Sequence, residues 1–131
     1  MTTCPELERV LYIEDEPDIR LVAEIALRQV GGLNVITCAG GEEGLSLIHD
    51  FMPQLIILDV MMPGMDGPQI LCKLRDMPEF ETTPVVFITA KVQADEVEQF
   101  KRLGAADVIS KPFNPMTLAD DVRAIWAACD E

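Results

Sequence analysis

Histidine occurs once in the 131 residues, and lysine plus arginine total 10 against 23 aspartates and glutamates. The resulting formal charge of −13 repels polyanions. With no basic patch along the chain, direct binding to nucleic acid or to an anionic membrane surface is not expected. The four cysteines, Cys4, Cys38, Cys72 and Cys129, are scattered, without a CxxC pair. That spacing argues against a structural zinc, which needs clustered thiolates and imidazoles. The thiols read as reduced, because the other residues suffice for a core without disulfides. Long apolar runs are also lacking. LIIL at 55–58 and VVFI at 85–88 fall far below the ~20 residues of a membrane helix. The N-terminus, MTTCPELER, has no basic segment leading into an apolar run, so no secretory signal is expected. These absences predict a cytoplasmic location.

What the chain does have is a hydrophobic content of 49% and a mean hydropathy of +0.19. At this length that suffices for one domain burying roughly two-thirds of its unfolded surface. Apolar, β-rich runs at 10–13, 33–38, 55–58, 85–88 and 106–109 alternate with helix-length segments at 16–30, 41–50, 67–76, 93–103 and 114–128. The runs are apolar without alternation, as in strands covered on both faces. Five β-α units in succession predict an α/β sandwich, a parallel sheet with right-handed crossovers and helices on both sides. Residues 1–8 read as an N-terminal tail and 9–129 as the domain. The punctuation agrees: Pro17 suits a first helical turn, Gly31-Gly32 and Gly104 suit helix ends, and Pro53 and Pro84 precede strands. In the first helix Ile19, Val22, Ala23, Ala26, Leu27 and Val30 form the expected sheet-facing stripe, and Leu21 and Ile25 are left on another face. Phe100 and Leu103 are expected to face the core, Trp126 to anchor the last helix, and His49 to lie at the surface.

In an open parallel sheet, ligands gather beyond the carboxyl ends of the strands. Following the strands in this chain are Glu14-Asp15-Glu16, Asp59, Thr89-Ala90 and Lys111-Pro112. Carboxylates so gathered repel one another unless a hard cation with oxygen ligands joins them, and such a set suits Mg²⁺. Asp15 and Asp59, with Glu14 and the Met61 carbonyl, are the candidate ligands. With a phosphoryl group added, a carboxylate serves as nucleophile, Lys111 neutralises charge and the Thr89 hydroxyl donates a hydrogen bond. The bland alternatives are helix caps for Glu16 and Asp18, a turn residue for Asp59, and gap-filling for Met61, Met62 and Met65.

These residues, as LYIEDE at 11–16, DVMMPGMDG at 59–67, ITA at 88–90 and SKPF at 110–113, resemble the receiver domains of two-component response regulators, of the kind found in the chemotaxis regulator. The likeness runs from about residue 9 to 128. It implies a flavodoxin-like doubly wound (βα)5 fold with strand order 2-1-3-4-5, and Asp59 as phosphoacceptor. It also implies Mg²⁺ held by Glu14, Asp15, Asp59 and the Met61 carbonyl, Thr89 as switch hydroxyl, Lys111 as phosphoryl ligand, and a cis Lys111-Pro112 bond. Gly67 matches a family glycine at the start of the third helix.

The implied partners are a sensor histidine kinase or histidine phosphotransfer protein as donor and a downstream target protein. A homodimer through helix 4, strand 5 and helix 5 is the implied assembly. On this reading the chain is a signalling switch rather than an enzyme, taking part in its own phosphorylation and autodephosphorylation. Two positions depart from the pattern: Glu14 stands where the family often has aspartate, and Val108 where it usually has an aromatic. Met61 and Lys91 flank the site at positions where the resemblance implies modulation of water access, Met61 by shielding and Lys91 either by lying over the phosphoryl group or by extending into solvent. The alternative function is a protein-binding receiver module that works without phosphorylation. A flavin or nucleotide enzyme would need a phosphate-cradling loop where Glu14-Asp15-Glu16 stands, and a phosphohydrolase a second acid close after Asp59.

Overall fold

The computed structural model describes residues 5–90 and 93–129. The expected β-α alternation is present: β1 (Arg9–Ile13), α1 (Pro17–Glu24), β2 (Asn34–Cys38), α2 (Gly41–Phe51), β3 (Leu55–Asp59), α3 (Gly67–Arg75), β4 (Val85–Thr89), α4 (Ala94–Leu103), β5 (Asp107–Ser110) and α5 (Leu118–Ala128). The five strands are all parallel, in the order β2-β1-β3-β4-β5. Every residue of β3 and β4 is buried, which explains why these central strands read as unbroken apolar runs.

Two apolar clusters sandwich the sheet. Val10, Tyr12, Leu55, Ile57, Val86 and Ile88 face α1 and α5. Leu11, Ile13, Ile56, Leu58, Val85 and Phe87 face α2, α3 and α4. Pro17 opens α1. An Asp66–Gln69 capping box opens α3, with each side chain bonded to the other residue's backbone N–H at 2.9 Å. Gly104, at φ 117°, closes α4 in the left-handed region that favours glycine.

Several expectations need correction. The first helix changes to π-helical winding over Ile25–Val30, so the 3.6-residue stripe does not hold to its end. Ala23, Ala26 and Leu27 are buried as expected, but Val30 is exposed, and so is Val22. Val22 turns sideways to line an apolar cavity of about 480 Å³ together with Ile19, Pro112 and Phe113. Leu103, the last residue of α4, is exposed, whereas Phe100 is half-buried against Phe87. In the segment expected to be a tail, Pro5, Glu6 and Glu8 are exposed and Leu7 is buried. Leu7 joins the core, the Trp126 indole N–H donates to Pro5 O at 2.7 Å, and Gln54 Nε2 donates to Glu6 O at 3.1 Å. His49 is at the surface, 3.6 Å from Glu79. Cys4 and Lys91 lie outside the described residues.

Candidate functional site

The register fixes which residues meet. Ile13 pairs with Leu58, Asp59 with Ile88, and Thr89 with Ser110. The strand ends are therefore level, and Glu14, Asp59, Thr89 and Lys111 arrive at one rim. The β1 ladder continues one step past Ile13, since Glu14 N donates to Cys38 O at 2.9 Å. Similarly, Lys111 N donates to Thr89 O at 2.8 Å and brings the lysine alongside β4.

Glu14, Asp59 and Thr89 are buried. The Lys111 ammonium lies 3.1 Å from Glu14 Oε1 and 3.3 Å from Asp59 Oδ2. Carboxylate oxygens of Glu14, Asp15 and Asp59 come within 4.8 Å of one another. Among the described residues Lys111 thus faces two carboxylates, with that of Asp15 close to both. Burial pushes the Glu14 carboxyl up to about 7; a hydrogen bond to Asp59 adds to the effect and the lysine opposes it. Burial alone lowers the Lys111 value, but the Glu14 and Asp59 carboxylates outweigh it and hold the ammonium above its usual range.

The donor set fits Mg²⁺. All three groups are oxygen ligands, and Glu14 Oε1 is buried without a hydrogen bond of good geometry, leaving lone pairs for a cation. Met61 follows the site two residues beyond Asp59, with its side chain 68% exposed. Lys111-Pro112 is cis, as the resemblance implied. Gly67 explains its own identity: a Cβ there would fall 2.9 Å from the Asp59 carbonyl and 3.1 Å from Val60 Cα. At Val108 the half-buried side chain packs into the cluster that contains Phe87, where α4 supplies Phe100. The two rings stand edge to face at 5.1 Å.

Two residues that sequence reasoning passed over also belong here. Arg20 Nη1 donates to Glu14 O at 2.9 Å and to Asp15 O at 3.5 Å, tying the acidic loop to the first helix. A lone cation one turn into the helix behind three acids is its signal in the sequence. The other is Tyr12, wholly buried two residues before Glu14; its signal is a single hydroxyl in an otherwise apolar strand.

Comparison with known proteins agrees with this geometry. The family profile described as "Response regulator receiver domain" matches residues 10–123. Response regulator Rre1 of Synechocystis is 36% identical over 118 residues, covering 90% of this chain and 51% of its own length. A 14.6 kDa protein of Leptolyngbya boryana is 31% identical, covering 98% of this chain and 95% of its own. Chemotaxis protein CheY4 of Vibrio cholerae superposes with a TM-score of 0.83 at 30% identity, over 91% of this chain and 98% of its own. The chain spans about half the length of several curated relatives it matches. By profile, relatives and fold alike, it belongs to the response regulator receiver domain family.

Proposed function

We propose that the chain accepts a phosphoryl group on Asp59 from a phosphohistidine of a sensor kinase or phosphotransfer protein, and that this transfer switches its affinity for a target protein. The observation that carries the reading is the placement of the Lys111 ammonium against both Glu14 and Asp59, 3.1 and 3.3 Å away, beside a third carboxylate. An Asp59 carboxylate oxygen attacks phosphorus, the P–N bond breaks, and its electron pair leaves on the donor imidazole, which takes up a proton. Lys111 moves from the carboxylates to a phosphoryl oxygen, and the Thr89 hydroxyl donates to another. Mg²⁺ held by Glu14, Asp15, Asp59 and the Met61 carbonyl supplies charge neutralisation for the phosphoryl oxygens when bound.

Movement of Thr89 then biases the α4–β5–α5 face between two arrangements, and a partner that prefers one of them reads the state. With Val108 at the usual aromatic position, no ring on β5 takes part. The same face is the proposed surface of a homodimer. Exposed Leu21 and Ile25 contribute to docking of the phosphodonor. The chain acts as a cytoplasmic switch, assisting its own phosphorylation and dephosphorylation without turning over a separate substrate.

The test is intact mass after incubation with acetyl phosphate and Mg²⁺. Wild type gains one phosphoryl group, and Asp59→Asn or chelated protein gains none. If wild type gains none and beryllofluoride leaves its spectrum unmoved, the chain is a phosphorylation-independent binding module.

A further inference from the structure

Among the described residues, two buried side-chain polar atoms have no hydrogen bond of good geometry: Glu14 Oε1 and the Tyr12 hydroxyl. They are neighbours by construction. Residues two apart on an extended strand point to the same face, and the β1 ladder remains extended through Glu14. The Tyr12 ring is fixed among Leu55, Ile57, Val86 and Ile88. A phenylalanine would fill the same volume without the ~1–3 kcal/mol penalty of an unsatisfied buried hydroxyl.

In the resting site Glu14 leans on Lys111, whose ammonium lies 3.1 and 3.4 Å from its two oxygens. The backbone N–H of Glu16 is a distant second donor at 3.4 Å. Once Lys111 turns to a phosphoryl oxygen, Glu14 loses its charged partner, and the Tyr12 hydroxyl is the buried donor standing behind it. We propose that Tyr12 is a positioning residue for the cation site: its hydroxyl donates to the ionised Glu14 carboxylate and keeps the other oxygen turned toward Asp15 and Asp59. The inference rests on the reading of Glu14, Asp15 and Asp59 as the Mg²⁺ ligands. It gives the hydroxyl the part played by outer-shell partners of metal ligands elsewhere, whose loss typically costs ten- to a hundredfold in metal affinity.

Tyr12 is the sole tyrosine in the chain, so its ring carbon bearing the hydroxyl can be followed by carbon-13 NMR without assignment. Titration with Mg²⁺ shifts that resonance in wild type and not in Glu14→Gln. By calorimetry Tyr12→Phe binds Mg²⁺ about tenfold more weakly. Its phosphoryl uptake from acetyl phosphate is slowed at subsaturating Mg²⁺ and restored at saturation, a split that a merely structural loss would not produce. A folded Tyr12→Phe protein with Mg²⁺ affinity within about twofold of wild type overturns the proposal, that factor being under 0.5 kcal/mol. If the variant does not fold, a wild-type resonance that Mg²⁺ leaves unmoved overturns it instead. Wild type that binds no Mg²⁺ overturns the metal-site reading itself and this inference with it, before any variant is compared.

Discussion

The two rims of the sheet are made from the same strands and treat polar groups in opposite ways. At the amino-terminal rim, among the described residues, no buried side-chain polar atom lacks a hydrogen bond. Gln54 Oε1 accepts from the backbone N–H of Glu8 and of Arg9 at 2.7 and 2.9 Å, while its Nε2 donates to Glu6 O at 3.1 Å. Arg9 Nε donates to Met52 O at 2.9 Å, and Asn34 N to Glu8 O at 2.7 Å. At the carboxyl rim, among the described residues, Glu14 and Asp59 share Lys111 beside the Asp15 carboxylate, and two buried oxygens lack a hydrogen bond of good geometry. Buried polar groups are ordinarily paired, so the satisfied rim is what folding alone produces. The carboxyl rim departs from that rule, as rims built to carry chemistry do.

The largest break in this comparison comes from pH. The Glu14 carboxyl is raised from 4.5 to about 7 in the folded chain. A carboxyl raised on folding contributes stability that is complete below its unfolded value and is lost as pH climbs through the folded one. Metal-free protein is therefore expected to lose stability as pH climbs from roughly 4.5 through 7, through Glu14 together with its Asp59 and Lys111 neighbours. Urea unfolding at intervals of pH measures it, and Glu14→Gln isolates the contribution by removing most of the slope. Mg²⁺ binds the ionised form, so added cation recovers stability at the high-pH end and little at the low-pH end. A Glu14→Gln protein with the wild-type slope places the strain on another group.

At the opposite rim the sign reverses. Gln54→Ala removes a side chain that makes three hydrogen bonds to the backbone, and destabilisation of about 2 kcal/mol is expected at 0.5–1.5 kcal/mol for each. Mg²⁺ affinity and phosphoryl uptake should stay at wild-type values, because no contact of Gln54 reaches the carboxyl rim. A parallel loss of uptake would show that the rims are coupled through the sheet. Denaturant midpoints and uptake rates on the same preparations decide it.

The carboxyl rim was far more legible in the sequence than the amino-terminal one. Asp59 and Thr89 could be placed because a buried parallel strand is a short apolar run whose first polar residue is conspicuous, and Lys111 because it follows the fifth run by a single serine. Gln54 carries no comparable signal: a glutamine between Pro53 and a strand looks like any loop residue, and its bonds run to Glu6 and Glu8, more than 40 residues away. The burial of Leu7 is equally silent in the sequence, since it depends on packing against the distant core cluster. The first helix failed differently. Periodicity assumes 3.6 residues per turn, and the π-helical stretch over Ile25–Val30 rotates later residues away from the assigned face, leaving Val30 in solvent. Tyr12 was visible as a residue but not as a donor, because its use depends on Glu14 being buried beside it.

The smallest expected stability change tests whether the carboxyl rim extends into a docking surface. Leu21 and Ile25 are 59% and 40% exposed, one turn apart on the first helix. The same helix contributes Ile19 and Val22 to an apolar cavity that has Lys111 in its wall. Exposed apolar side chains contribute little to folding, so Leu21→Ala/Ile25→Ala should shift the unfolding free energy by less than about 0.5 kcal/mol per site. Uptake from acetyl phosphate should be unchanged, because neither residue touches the acidic cluster. Phosphotransfer from a phosphohistidine protein should slow, since such a donor must seat against this chain before its imidazole reaches Asp59. An unchanged protein-donor rate would move the docking surface off the first helix. Slowing with both donors would instead show that the π-helical segment transmits strain to the acidic loop, where Arg20 is bonded to Glu14 O.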